Sequence, residues 1–185
     1  RELGGPSVKP YQPKGYYADK IGRGWAQSKG TSLYRRGLYT YWRRTTLYPT
    51  FQIFDAPSRE VCTVNRPRTN TPLQALVLMN DPAFVEAARV FGQRILAKGG
   101  KNDDARIRYA FRLAVARSPS KRELLVLKSI IQEQREVYTK NKAAADKYVR
   151  NGEYKVPKKV NAAELASWAA FGSVLLNLDE TITRE

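Results

Sequence analysis

From Thr71 onward the apolar side chains recur with a helical period, and before that point they do not. Thr71-Pro72-Leu73-Gln74 sets a hydroxyl at an N-cap, proline at the first helical position and an amide at the third. That is a capping box, and it predicts a short helix over 72–79 that stops at Asn80. Asp81-Pro82 opens a second helix, with Phe84, Ala87, Ala88, Phe91 and Ile95 in register and Gly99-Gly100 at its end. Asn102 or Asp103 starts a third, whose inner face carries Ile107, Ala110, Phe111 and Ala114 until Ser118-Pro119 breaks it. Ser120 and Glu123 form another capping box, ahead of Leu124, Leu127, Ile131 and Tyr138. Residues 139–160 are polar and lysine-rich, and predict fraying into a mobile loop that ends near Pro157. Asn161 and Glu164 start the last helix, with an apolar stripe of Leu165, Trp168, Gly172, Leu175 and Leu176.

The first 70 residues read differently. Residues 1–32 scatter glycines and prolines among Tyr11, Tyr16, Tyr17 and Trp25, which excludes a helix interior and a central strand. Aromatics in such a segment predict an ordered, extended arm laid over a core. Residues 33–44 alternate as a strand would, with Leu38, Thr40 and Trp42 on one side and Tyr39, Tyr41 and Arg43 on the other; Gly37 marks a candidate bulge. A second extended or irregular piece is expected at Tyr48–Phe54. The fold class is therefore mainly α. A helical bundle-like half over about 72–180 carries an N-terminal extended arm and a short β-ribbon or irregular aromatic–arginine segment. The chain reads as one domain, or the C-terminal portion of a larger one, with the arm at 1–32, the aromatic–arginine segment at 33–70 and the helical region at 71–185.

Charge sharpens this picture. The 185 residues hold 33 basic and 17 acidic side chains, a net +16. The excess is +7 over residues 1–60, +6 over 61–120 and +3 over 121–185, so it belongs to the front of the chain. Such a field favours polyanions or an acidic partner. Histidine is absent, which removes Ser-His-Asp and Cys-His nucleophilic sites built from this chain alone. Cys62 is the single cysteine, which removes an internal disulfide and any Cys-x-x-Cys-His haem attachment. Between Val61 and Val64 it is expected to be a buried small hydrophobe. No apolar run reaches membrane-spanning length and no signal peptide is evident. A start without methionine suggests a fragment or processed product.

Candidate chemistry gathers between Arg35 and Asn70. Arg35, Arg36, Arg43 and Arg44 interleave with Tyr39, Tyr41 and Trp42, a mixture suited to sugar rings bearing sulfates or carboxylates, or to stacked bases. Asp55, Arg59, Glu60, Arg66, Arg68 and Asn70 complete the binding candidates. Asp55, Glu60 and Asp81 are the carboxylates from which a two-carboxylate hydrolase would draw its pair, but acids beside arginines are more often ion-paired scaffolding, and Asp55 is expected to cap the Ala56-Pro57 turn. Asp55, Asn70, Asn80 and Asp81 fit no calcium-loop spacing, so no metal is assigned.

Gly4-Gly5-Pro6-Ser7-Val8, Tyr34 through Thr45, Phe54-Asp55-Ala56-Pro57, Arg59 through Val64, Arg68 through Leu76 and the closing Leu175 through Glu180 together resemble a known family. It is the C-terminal domain of unknown function attached to planctomycete-type cytochrome c proteins. The resemblance implies long, exported proteins, often with an N-terminal cytochrome c domain and a second uncharacterised domain. It thus implies an extracytoplasmic location and haem c elsewhere in a full-length member, with no cofactor in this chain. It brings no catalytic residues to carry over. The expected function is an exported, basic, non-catalytic module that docks to partner domains or binds acidic polymers such as sulfated polysaccharide. The alternative is the C-terminal part of an extracytoplasmic enzyme, with Asp55, Glu60 and Arg68 contributing to a site completed by residues outside this chain. Nucleic-acid binding ranks third, because no nucleic-acid fold signature is present.

Overall fold

The computed structural model describes residues 3–16, 25–43, 46–157 and 159–183. It divides into two compact units, residues 1–74 and 75–185. The described chain is mainly helical, as the periodicity predicts, with α1 at Pro49–Ile53, α2 at Pro72–Asn80, α3 at Pro82–Lys98, α4 at Asp103–Val115, α5 at Lys121–Lys140, α6 at Lys142–Val149, α7 at Ala162–Leu176 and α8 at Asp179–Ile182.

The helical unit is built around α7. Leu165, Ala166, Trp168, Ala169, Phe171 and Leu175 on that helix are fully buried. Around it lie Ile95 of α3, Ile107 and Phe111 of α4, and Leu124, Leu127 and Ile131 of α5. Sequence-encoded caps start these helices where expected. Asp81 accepts from the Ala83 amide, Asn102 from Ala105, and Asn161 from Ala163 and Glu164. Ser120 and Glu123 close a reciprocal capping box. Two glycines let α3 and α7 approach closely. A Cβ at Gly92 would stand 2.8 Å from the Ala169 nitrogen, and one at Gly172 would stand 3.0 Å from Phe91 Cδ1.

Residues 139–160 depart from the expected mobile loop. The Asn141 side chain accepts from the Ala144 amide and starts α6, whose Ala145 and Val149 pack with Leu165 and Ala166. The following loop is anchored by Arg89, which is fully buried and donates to the carbonyls of Asn151 (3.1 Å) and Tyr154 (2.7 Å). Glu86, buried beside it, accepts from the Tyr154 amide at 2.5 Å. Lysine content signalled solvent on one face of this stretch; the alanines that cover the other face are what make it a helix.

In the unit of residues 1–74 the arm expected at 1–32 is tied down at its described residues, 3–16 and 25–32, while 17–24 lie outside the described residues; the strand expected at 33–44 is absent from the described 33–43. Two 3-10 turns, Gly30–Tyr34 and Gly37–Tyr39, stand there instead. Arg35, Arg36 and Thr40 are the extended residues around them. The only strand-like pairing among the described residues is one parallel bridge between Val8 of the arm and Thr40, in which Val8 donates to the Tyr39 carbonyl at 2.7 Å and Tyr41 donates to the Val8 carbonyl at 2.8 Å. The alternation in this segment thus serves the arm, which the chain uses in place of a second strand. Tyr48–Phe54 is likewise helical rather than extended, with Pro49 at the first position of α1. Aromatic rings supply the local core. Trp25 stacks on Tyr48 (centroids 5.8 Å, planes 7° apart), and Phe51 meets both Tyr48 and Trp42 at 5.4 and 5.5 Å. The arm is tied across them by the Trp25 indole donating to the Pro10 carbonyl (2.7 Å) and the Tyr48 hydroxyl to the Tyr11 carbonyl (2.6 Å).

Candidate functional site

The sequence candidates separate into three sets. Arg35, Tyr39 and Asp55 are committed to the internal structure of residues 1–74. Arg35 donates to the carbonyls of Gly4 and Pro6 and stacks on Tyr39, 3.7 Å from its ring centroid. The Tyr39 hydroxyl accepts from the Gly4 amide. Asp55 does not cap the Ala56-Pro57 turn. Its Oδ2 accepts from the Thr69 hydroxyl at 2.7 Å and the Thr69 amide at 2.9 Å. Those bonds, the hydroxyl first, hold the carboxyl below the ordinary aspartate range. Gln74, 1% exposed, completes the junction by donating to the Ile53 carbonyl and the Thr69 hydroxyl, while its own side chain and Thr71 exchange the capping-box bonds that start α2. The carboxylate that a hydrolase would need is thus the clasp of a loop.

That loop carries the second set. Residues 58–70 are exposed throughout, Glu60, Arg66, Arg68 and Asn70 among them. Cys62 is exposed too, which corrects its expected burial: the valines beside it, Val61 and Val64, are 73% and 103% exposed. Apolar neighbours in sequence signalled a core that the loop does not enter. Arg36 is also exposed, and its side chain makes no hydrogen bond or ion pair with a described residue. Asn80 and Asp81 act locally, Asn80 donating to the Leu76 carbonyl and Asp81 capping α3. Among the described residues no cluster of acids and cysteine has metal-holding geometry. Arg44 lies outside the described residues.

The third set, Tyr41, Trp42 and Arg59, converges on a cavity of about 580 Å³, walled also by Ser7, Gly37 and Phe51. This is the scale of a small-ligand site. The Arg59 guanidinium lies over the Trp42 indole, 4.1 Å from its centroid, and makes no hydrogen bond or ion pair with a described residue. Arg59 holds φ at +64° and nearby Asp55 at +56°, a left-handed conformation that side chains other than glycine adopt at a cost. Trp42 itself has an enclosed indole N–H with no partner among the described residues. Sequence reading missed Ser7, Gly37 and Phe51. Gly37 gave a signal as a candidate bulge, and its value here is spatial, since a Cβ would stand 3.3 Å from the Phe51 ring.

Electrostatics divide the chain the same way. Residues 1–74 hold 13 basic and 4 acidic side chains, a net +9, whereas residues 75–185 hold 20 and 13. Every ion pair between described residues lies within 86–180. Arg135 forks between Asp103 (2.5 and 2.9 Å) and Glu164 (2.7 and 2.9 Å), and Arg117 between Glu123 and Glu180. The Arg117 bonds hold Glu123 down at about 2 and Glu180 below its usual range. Burial pushes Glu164 up, but bonds from Arg135 and the Trp168 indole together outweigh it.

A helical bundle preceded by a basic, aromatic-cored unit with an open cavity walled by aromatics and one arginine defines a class of domain, not an activity. Residues 1–131 match the family described as PSD1, protein of unknown function (DUF1553), and the chain belongs to that family. The match ends within α5, so the resemblance at Leu175–Glu180 falls beyond it. No curated protein and no solved structure matches the chain. No described helix is long and apolar enough to cross a membrane.

Proposed function

We propose that the chain is a non-catalytic binding module of an exported, cytochrome c-type protein, and that residues 1–74 hold an acidic polymer such as sulfated polysaccharide while the module docks to its partner domains. One observation carries the reading: exposed Arg36, Arg59 and Arg66 belong to none of the ion pairs between described residues, which all lie within 86–180. Exposed guanidinium groups without carboxylate partners bind sulfates and carboxylates through paired N–H donors, and stacked arginines do so with little loss of side-chain freedom. The reading gives no catalytic role to Asp55, whose Oδ2 already accepts from Thr69 and Gln74.

Immobilised heparin tests this directly. The protein is expected to bind at low ionic strength and to elute as salt screens the contacts. Replacing Arg36, Arg59 and Arg66 together by alanine is expected to lower the eluting salt concentration clearly, whereas an equal number of alanines at Arg112, Arg122 and Lys147 of the helical unit leaves it nearly unchanged. Failure to bind heparin at low salt, or equal effects from the two triple variants, overturns the proposal.

A further inference from the structure

We propose that the cavity walled by Trp42, Phe51 and Arg59 is a subsite for a single anionic sugar unit, with Arg59 gripping its carboxylate or sulfate. This rests on the reading of residues 1–74 as the polymer-binding part, and goes further by assigning one ring of that polymer to one place. A guanidinium stacked on an indole has its face covered, but its five N–H donors point outward in its own plane. Those of Arg59 meet no described acceptor. Phe51 backs the Trp42 ring at 5.5 Å, so the platform beneath the cation is itself fixed. Trp42 is thus a positioning residue: it holds the fork in place before any ligand arrives.

The rest of the wall decides what carries the anion. Aromatic and aliphatic surface predominates, from Leu38, Tyr41 and Phe51, with hydroxyls from Ser7 and Thr40. That combination suits the C–H face and hydroxyl edge of a pyranose better than a bare inorganic ion, which would leave the apolar surface uncovered. One unpaired cation matches one negative charge. Gly37 sets the room available, because its missing Cβ is what separates the 3-10 turn from Phe51. The left-handed backbone at Arg59 fits the same role: the strained turn aims the side chain back over Trp42.

The test titrates the full chain with glucuronate, with sulfated glucose and with glucose, following the Trp42 indole and cavity resonances by NMR. Glucuronate or sulfated glucose is expected to shift these resonances saturably, with glucose binding at least tenfold more weakly; whichever anion binds tighter names the polymer's acidic group. Arg59→Gly relieves the left-handed strain, so it keeps the fold while removing the fork, and is expected to weaken the anionic sugar at least tenfold. Arg59→Lys keeps the charge without the planar fork and is expected to retain heparin elution while still losing most monosaccharide affinity. Absence of saturable shifts with either anion, while heparin is still retained, overturns this subsite and leaves the polymer-binding proposal standing. Loss of heparin retention overturns that proposal instead. Unchanged anionic-sugar affinity in Arg59→Gly also overturns the subsite.

Discussion

Replacing Gly92 by alanine adds one methyl group where α3 touches α7. The new Cβ would lie 2.8 Å from the Ala169 nitrogen, 3.0 Å from the Trp168 carbonyl carbon and 3.1 Å from the Ala169 Cα. Ordinary carbon contacts sit near 3.5–4.0 Å, so the helices must part by about 0.5 Å or more. All three obstructing atoms are backbone, and no rotamer change relieves them. A gap of that size forfeits roughly a quarter of the dispersion energy across the contact, and overpacking against backbone that cannot rotate away falls in the upper part of the usual range, about 2–3 kcal/mol. Alanine's helical preference returns about 1 kcal/mol. The balance is a loss of about 1–2 kcal/mol, or a melting temperature lower by roughly 4–10 °C for a unit of this size. Gly172→Ala makes an informative partner, because its Cβ meets the movable Phe91 ring at 3.0 Å and the Ala88 carbonyl at 3.2 Å. Its smaller clash is largely offset by the same helical preference. Thermal and urea unfolding monitored at 222 nm should therefore rank wild type close to Gly172→Ala and both above Gly92→Ala. Gly92→Ala as stable as wild type, or Gly172→Ala the more damaging, would refute the assignment of the crossing to backbone contact at Gly92.

Arg89→Ala removes the cation from a buried pair and strands the Asn151 and Tyr154 carbonyls, so it should destabilise the helical unit by about 3–5 kcal/mol and abolish hydrogen-exchange protection of the Tyr154 amide; native-like protection in the variant would rule out the anchor. Acid should also weaken the helical unit. Asp103, Glu123 and Glu180 titrate below their unfolded values, so the stability they give is full above about pH 4.3 and drains as pH falls toward 2, where Glu123 titrates. Asp81, pushed up by burial, acts with the opposite sign. In urea titrations between pH 5 and 2, Arg117→Met should flatten this slope, and an unchanged slope would exclude the Arg117 fork as its source.

Helix starts were the most legible part of the chain because a cap is local. Asp81, Asn102, Ser120 and Asn161 each sit within three residues of the amide they accept from. Apolar stripes were legible for the same reason, and Ile95, Phe111, Ile131 and Trp168 are all in the core. What could not be read was anything decided by partners far along the chain. The alternation at 33–44 looks like a strand, but its backbone partner is Val8, and a single bridge suffices. Arg89 sits on a regular helical face, and nothing nearby in sequence announces that it will be buried to hold carbonyls 62 and 65 residues away. The candidate site fared similarly. Arginine and aromatic content pointed to Trp42 and Arg59, but not which arginines were already in use: Arg35 is occupied by the arm, and Arg59 is not.

The Asp55–Thr69 clasp has a consequence for how this family can vary. Because hydrogen bonds at its base fix where the loop leaves and returns, the residues between need not span a set distance or keep a set number. Doubling such a loop costs only about 0.6 kcal/mol in closure entropy. The aromatic cluster on one side and the start of α2 on the other would register no change in geometry. Residues 60–68 therefore form an insert free to lengthen or shorten, while Asp55, Thr69 and Gln74 keep the frame around them and Arg59 stays over Trp42.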